Sequence, residues 1–155
     1  MDHQGRRPVR APDPRSRYAT LSSRDEFKNW HFSADELNTL RQTFPKLVAV
    51  VGRMNRAGVV LLAGTDIAGP RIPGFSLHDE LSMLVTVGLT PLQALQTATL
   101  NPAIVLQKTA DFGSIQPGKI ADLVLLDANP LENIEQHDAH HRGRVEGQAL
   151  QTERP

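Results

Sequence analysis

Cysteine is absent from the 155-residue chain, so disulfide bonds and thiolate chemistry are excluded. The formal net charge is zero, and no stripe of lysine or arginine recurs along a helix, so the electrostatic signature of a nucleic-acid-binding protein is missing. Apolar runs reach only about eight residues, too few to span a membrane, and the start of the chain lacks the apolar core of a signal peptide. These absences predict a cytoplasmic protein with neither a nucleic-acid nor a membrane partner.

Both ends of the chain have compositions that predict disorder. Residues 1–17 are rich in Arg, Pro and Asp and hold almost no large apolar side chains, so they cannot repay the entropy of ordering. From residue 135 onward the sequence is polar, rich in His and Arg, and without a clear period. We therefore predict a disordered arm at 1–17 and a disordered tail at 135–155.

Helix caps and apolar spacing organise the middle of the chain. Ser33, followed three residues later by Glu36, is a capping box that predicts a helix starting directly after it. Pro45 is expected to break or kink this helix. A further run of apolar residues at helical spacing predicts a helix over about 46–57, with Gly58 suited to the position just past its end.

Three more helices are predicted in quick succession farther along the chain. The first is expected over about 76–87, with Ser76 as its cap and Gly88 as its stop. The next two open with Thr90 and Asn101 as caps, and each cap is followed directly by a proline.

Residues 59–63, between the helices predicted at about 46–57 and about 76–87, form a continuous apolar run of strand length. The lack of alternation indicates a strand buried on both faces, as in a parallel sheet covered by helices. Asp66 follows at the carboxyl end of this run, where parallel α/β proteins carry their chemistry. From position alone, its carboxylate could bind a metal, act as a base or cap the next helix.

The stretch 113–126 changes in character and predicts a separate β element. Two short strand-like pieces flank the turn sequence Pro117-Gly118. We expect two strands here, with edges that stay unpaired or find partners in another molecule.

Three blocks of the sequence resemble the C-terminal third of the amidohydrolase superfamily, in the branch of imidazolonepropionases and metal-dependent prolidases. The blocks are "AGVVLLAGTD", "PGFSLHDELSMLVTVGLTPLQALQTATLNPA" and "GSIQPGKIADLVLLDANPLENI", and the resemblance covers about 44–134. It implies an α/β fold: a C-terminal fragment of a metal-dependent hydrolase (β/α)₈ barrel, with residues 18–112 as its closing part. Residues 113–134 would form a partial β-sandwich segment.

The resemblance also implies a reaction. Members of the family hydrolyse carbon–nitrogen bonds with water activated by a divalent metal, here expected to be zinc, and the implied substrates are small amides, cyclic amides or dipeptides. Asp66 would match the aspartate at the end of the eighth barrel strand, which binds the metal and takes a proton from the attacking water. The loop that follows makes Ile67, Arg71 and Phe75 candidates for substrate contact, since such loops set specificity. His78 is a further candidate at the mouth of the site, although an ordinary place on the first turn of a helix explains it better.

Most of the metal ligands that the resemblance implies are missing from the chain. The family has a His-x-His pair after the first strand, a lysine or glutamate on the fourth, and single histidines on the fifth and sixth, and no His-x-His occurs here. A complete barrel needs roughly 250 residues. We therefore expect a fragment, inactive alone and without a bound metal of its own, that self-associates or joins a chain supplying the N-terminal ligands. The alternative is a non-catalytic remnant or interaction module that associates with another chain.

Overall fold

The computed structural model describes residues 32–66, 75–135, 140–145 and 148–151, so the predicted arm at 1–17 lies outside the described residues. No helix within these ranges has both the length and the apolarity needed to cross a bilayer. In chain order the elements are α1 (Ala34–Arg56), α2 (Ser76–Thr86), α3 (Pro91–Ala98), α4 (Leu100–Val105), β1 (Leu123–Leu126), β2 (His140–Val145) and β3 (Gln148–Gln151).

Helix α1 begins as the sequence predicts and continues farther than expected. The Ser33 hydroxyl accepts a hydrogen bond from the Glu36 backbone N–H at 3.2 Å, and the Glu36 carboxylate accepts one from the Ser33 N–H at 2.7 Å. The predicted break at Pro45 is wrong, because α1 runs through this residue as one helix to Arg56. Proline removes one N–H donor from the helix, and the exposure of Arg41 lets water reach the carbonyl that this donor would have bonded.

The capping box makes the start of α1 sensitive to pH. Its hydrogen bond from the Ser33 backbone, followed by that from the Ser33 side chain, lowers the pKa of Glu36 from its ordinary value of 4.5. A carboxyl with a lowered pKa in the folded state stabilises the fold above its unfolded pKa, and this contribution is lost as the pH falls through the folded pKa. We expect the amide resonances of Ser33 and Glu36 to shift together in an acid titration, with a midpoint below 4.5.

Glu36→Gln is the matched control, since glutamine keeps an oxygen acceptor and cannot titrate. The amide shifts of this variant should stay flat over the same range. A wild-type midpoint at or above 4.5 would contradict the capping interpretation.

Three helices end in the same way, with a residue of positive φ just past the last turn. The residues are Gly58 (φ 78°), Gly88 (φ 107°) and Gln107 (φ 56°). After α2, for example, the Gly88 N–H donates to the Val85 carbonyl at 3.0 Å and the Leu89 N–H to the Leu84 carbonyl at 3.1 Å. This is the paired-bond pattern of a Schellman motif. The predicted stops at Gly58 and Gly88 are confirmed.

Of the three caps predicted for α2, α3 and α4, one is confirmed and two are wrong. Thr90 and Gln93 form a reciprocal capping box, with hydrogen bonds of 2.9 and 3.2 Å. Ser76 is the first residue inside α2, and Phe75 takes the cap position without a side-chain bond. Asn101 lies inside α4, which starts one residue earlier, so its side chain is free of the capping role and serves the contact described below.

The core lies among α2, α3 and the segment that follows β1, near the end of the described range 75–135. Its buried side chains are Leu81, Leu84, Leu89, Ala94 and Ile134. Helix α1 reaches this core through its last turns, where Val51 packs against the cluster and Gly52 is buried. A Cβ on Gly52 would stand 2.9 Å from the Val87 carbonyl oxygen, so the absence of a side chain permits this close approach.

Only one of the two strands predicted in 113–126 is present. The Pro117-Gly118 turn is confirmed, with Gly118 at φ 88°, and β1 follows it. The preceding stretch closes on itself instead of extending, because the Lys119 ammonium donates to the Ser114 hydroxyl at 2.7 Å and the Ile120 N–H to the Asp111 carbonyl at 2.9 Å. The first predicted strand is therefore wrong.

The tail predicted to be disordered contributes two strands, so that prediction is wrong for 140–145 and 148–151. They form an antiparallel three-stranded sheet in the order β1-β2-β3, with Val124 opposite Gly143 and Gly143 opposite Leu150. One edge of β1 is thus paired within the chain, contrary to the expectation of unpaired edges. Only Glu146 and Gly147, which lie outside the described residues, separate β2 from β3 in the sequence.

Candidate functional site

Residues 59–66, here called the central segment, follow α1 and precede residues 67–74, which lie outside the described residues. The structure assigns them neither helix nor strand, so the prediction of a buried strand at 59–63 is wrong. Leu61, Ala63 and Thr65 are half-buried, whereas Val60 and Leu62 are 50% and 48% exposed. This alternation is typical of a strand with one covered face. A strand also requires a hydrogen-bonded neighbour, and within the described ranges no other strand pairs with this segment.

Helices α3 and α4 hold the central segment in place. The Asn101 side-chain amide donates to the Leu61 carbonyl at 2.8 Å, and the Ala63 N–H donates to the Thr97 carbonyl at 3.0 Å. Thr97 is 1% exposed, and its hydroxyl donates to the Ala94 carbonyl at 2.6 Å, so this anchor is itself fixed in the core. Neither anchor was predicted from the sequence, since Asn101 has the pattern of a helix cap and Thr97 bonds the segment through its backbone carbonyl, which no side-chain pattern marks. The position of Asp66 thus depends on contacts with residues more than thirty positions away.

Asp66 ends the central segment in an unusual backbone conformation. Its φ is 40°, in the left-handed region, and its side chain is exposed. Aspartate adopts this region more readily than most residues, but the conformation still has a cost in free energy, and such residues cluster at functional sites. The geometry is therefore compatible with a chemical role for this carboxylate.

The other predicted site residues, which follow Asp66 in the sequence, are Ile67, Arg71, Phe75 and His78. Ile67 and Arg71 lie outside the described residues. Phe75 is half-buried at the cap position of α2, where its carbonyl accepts hydrogen bonds from the His78 N–H at 3.0 Å and the Asp79 N–H at 3.2 Å. His78 is half-buried, with a buried Nδ1. The contribution of Ile67, Arg71, Phe75 and His78 to substrate contact stays a prediction.

The described residues do not by themselves fit a complete metal site. Across 32–66 and 75–135, no group of three or more histidine, aspartate or glutamate side chains is arranged to hold an ion. A catalytic metal generally needs about three protein ligands and an open position for water. Asp66 can supply one carboxylate, and any further ligands have to come from elsewhere.

Comparison with known proteins gives a consistent picture. The sequence profile of the amidohydrolase family matches residues 26–146. An imidazolonepropionase from Pyrobaculum arsenaticum is 44% identical over 78 residues, which are 50% of this chain and 19% of the relative. The chain spans about a fifth of the length of the curated relatives first matched.

Solved structures agree at the level of the fold. A candidate prolidase from Bifidobacterium longum shares 29% identity with a TM-score of 0.68, over 77% of this chain and 30% of that protein. An Xaa-Pro dipeptidase with methionine in its active site has a TM-score of 0.67 at 22% identity, over 90% of this chain and 34% of that protein. These likenesses indicate a TIM-barrel-type hydrolase fold, of which the described part of the chain shows helices and no barrel sheet.

Proposed function

The chain belongs to the amidohydrolase family, and from this premise we propose that it contributes Asp66 to the hydrolysis of carbon–nitrogen bonds in small amides, cyclic amides or dipeptides. The observation that supports this role is the placement of Asp66 at the end of the central segment, which α3 and α4 fix through Thr97 and Asn101. The resemblance to amidohydrolases found in the sequence is confirmed. Two relatives bear names that point to such substrates, an imidazolonepropionase and an Xaa-Pro dipeptidase.

The proposed role of Asp66 follows from its chemistry and exposure. A carboxylate can ligate a cation or accept a proton from water as a general base, and Asp66 is exposed. Divalent metals are typical of the family, and we propose zinc for this site. Because the described residues offer Asp66 without a cluster of partners, we propose that a second polypeptide with the missing part of the fold supplies the other ligands.

Phe75 and His78 are proposed to line the entrance to the same site, together with Ile67 and Arg71. Phe75 is half-buried at the start of α2, and its carbonyl fixes the first turn of this helix. An aromatic ring can pack against an apolar part of a small substrate. These contacts would select among substrates rather than perform the reaction.

Complementation tests this proposal. We would mix the chain with Pyrobaculum arsenaticum imidazolonepropionase truncated before the stretch that matches this chain, in the presence of zinc. The mixture should hydrolyse at least one member of a panel of imidazolonepropionate, prolyl dipeptides, acyl amino acids and lactams, and neither polypeptide should do so alone. The intact relative serves as the positive control. A stable complex with no hydrolysis of any panel member would contradict the proposal.

One observation favours the second candidate function, an interaction module without catalysis. Helix α1 carries apolar residues at alternating spacings of three and four, which form a stripe along one face. We call this the α1 stripe, and it consists of Leu40, Phe44, Leu47, Val51 and Met54. All except Val51 are exposed, with Leu47 at 60%. An uncovered stripe of this kind on a soluble surface favours association.

We expect the α1 stripe to drive self-association of the isolated chain. Light scattering should show an average mass above that of the monomer that rises with protein concentration. Leu47→Glu places a charge in the middle of the stripe and should shift the mass towards the monomer, since burying an unpaired carboxylate is costly.

Gln42→Glu is the control, because it adds the same charge on the opposite face of α1. Its mass should follow that of the wild type, and circular dichroism should show equal helix content in all three proteins. A wild-type chain that stays monomeric at every concentration would contradict this expectation.

A further inference from the structure

A cavity of about 230 Å³ opens where the end of α1, the start of the central segment, α3 and α4 meet. Its polar lining residues are Asn55, Gln93, Gln96, Thr97 and Asn101. All of them except Thr97 have neutral amide side chains, so we call this cavity the amide pocket. The central segment lines the pocket with residues 59–61, at its amino end, whereas Asp66 lies at its carboxyl end. The amide pocket is therefore separate from the candidate catalytic carboxylate.

Several hydrogen-bonding groups of the amide pocket have no partner within the described residues. The Asn55 and Gln96 side chains are both half-buried, and neither makes a hydrogen bond there. Asn101 uses its Nδ2 for the Leu61 carbonyl at 2.8 Å, which leaves its Oδ1 as an acceptor. Gln93 uses its Oε1 in the capping box of α3, which leaves its Nε2 as a donor. The pocket thus offers both N–H donors and carbonyl acceptors to a ligand.

The rest of the lining is apolar. Val59, Val60, Leu61 and Leu89 contribute aliphatic side chains, and Leu89 is buried. None of the described residues that line the pocket carries a charge. A charged ligand would lose hydration there without an opposite charge to compensate, and this loss is costly. The lining therefore favours a neutral ligand that combines hydrogen-bonding groups with an aliphatic part.

We propose that the amide pocket binds a small neutral molecule with a carboxamide group and a short aliphatic side chain. A carboxamide carries an N–H donor and a C=O acceptor, so it can pair with the side-chain amides of Asn55 and Gln96. The cavity volume of about 230 Å³ is below the range of about 300–1,000 Å³ that is typical of pockets for drug-sized ligands, which limits the ligand to about the size of a capped amino acid. The proposal rests on the pocket and not on the proposed hydrolytic function.

N-acetyl-leucinamide is the probe that tests this proposal, because it is neutral, holds two amide groups and has an isobutyl side chain. We would titrate it into the full 155-residue chain and follow the side-chain NH₂ resonances of Asn55 and Gln96 by NMR. Both resonances should shift and saturate with the same dissociation constant. N-acetyl-leucine is the matched control ligand, since a carboxylate replaces one of its amides, and it should bind at least about tenfold more weakly at neutral pH.

A variant at position 96 tests the same point from the protein side. Gln96→Met removes the unpaired amide and keeps a side chain of similar length that favours helix. It should weaken binding of N-acetyl-leucinamide about three- to tenfold, the usual range for one lost hydrogen bond. Gln42→Met makes the same change at an exposed position of α1 that does not line the pocket, so it should bind as the wild type does. Circular dichroism should show equal helix content in all three proteins.

Three outcomes would overturn the inference. They are the absence of saturable shifts at Asn55 and Gln96, equal affinity for N-acetyl-leucinamide and N-acetyl-leucine, and wild-type affinity in a folded Gln96→Met variant. If that variant fails to fold, the two ligands compared on the wild-type chain decide the question. Binding of the probe, with no hydrolysis in the complementation experiment, would support the inference and contradict the proposed function, so the two proposals can fail separately.

Discussion

The isolated 155-residue chain is expected to bind no stoichiometric zinc and to turn over no prolyl dipeptide, acyl amino acid or lactam. Asp66 is in place, but no cluster of three ligand side chains accompanies it in the described ranges. One exposed carboxylate holds a divalent metal weakly compared with a site of about three ligands. Lowering a reaction barrier also requires preorganised protein groups around the substrate. Because Asp66 is exposed, the described residues do not enclose a substrate beside it.

Metal analysis after dialysis against zinc, together with turnover assays on the same sample, checks this expectation. Asp66→Asn should behave like the wild type in both measurements, because the part of the chain that the structure describes holds no complete site to damage. One tightly bound metal per chain, with turnover that Asp66→Asn abolishes, would show that residues outside the described ranges or a second copy complete the site.

Replacing Gly113 by alanine is expected to cost about 2–5 kcal/mol of unfolding free energy. Gly113 has φ 90°, a conformation that costs an L-residue about 1–2 kcal/mol. A Cβ there would lie 2.7 Å from the Ala103 Cβ and 3.1 Å from the Leu100 Cα. Both atoms are close to the backbone of α4, so the helix itself would have to move, and overpacking of this kind adds about 1–3 kcal/mol. Chemical denaturation measures the change.

Gly118→Ala separates the two contributions. Gly118 has nearly the same φ, 88°, and a Cβ there would meet no atom within 4 Å. Its substitution should therefore cost only the backbone term of about 1–2 kcal/mol. Equal losses for the two variants would show that α4 does not pack against Gly113 as the structure has it.

The sequence predicted those parts of the fold that depend on neighbouring residues. The capping boxes at Ser33 and Thr90 and the glycine stops at Gly58 and Gly88 involve residues within a few positions of one another, and all four are confirmed. Pro45 shows the limit of such local rules. A proline penalty of roughly 3 kcal/mol still leaves a 23-residue helix intact when the flanking turns favour helix.

Two of the predictions that failed, the strand at 59–63 and the disordered tail, depend on pairing across the chain. Residues 59–63 have the composition of a buried strand, but a strand exists only where a neighbour supplies hydrogen bonds, and composition does not show whether that neighbour is present. The reverse error occurred in the tail, where β2 contains His140, Arg142 and Arg144, which lack the apolar alternation expected of a strand. Pairing with β1 on one side and β3 on the other places these residues in a sheet.

The candidate site was predictable only in part. The position of Asp66 after an apolar run left its role open between metal ligand, base and cap, and the family resemblance, not the spacing, singled out the catalytic role. Asn101 and Thr97 hold the segment that ends at Asp66. Local cap patterns do not predict these two contacts, because the partner residues lie more than thirty positions away in the sequence. The roles of Ile67, Arg71, Phe75 and His78 stay predictions.

The central claim is that Asp66 serves a hydrolytic site that a second polypeptide completes. The most direct test compares turnover by the reconstituted mixture containing wild-type chain with turnover by the mixture containing Asp66→Asn. The account predicts that both chains form the complex with equal affinity and that the substitution lowers kcat by at least about 100-fold, the lower range for loss of a general base. Equal turnover by the two complexes would contradict the account.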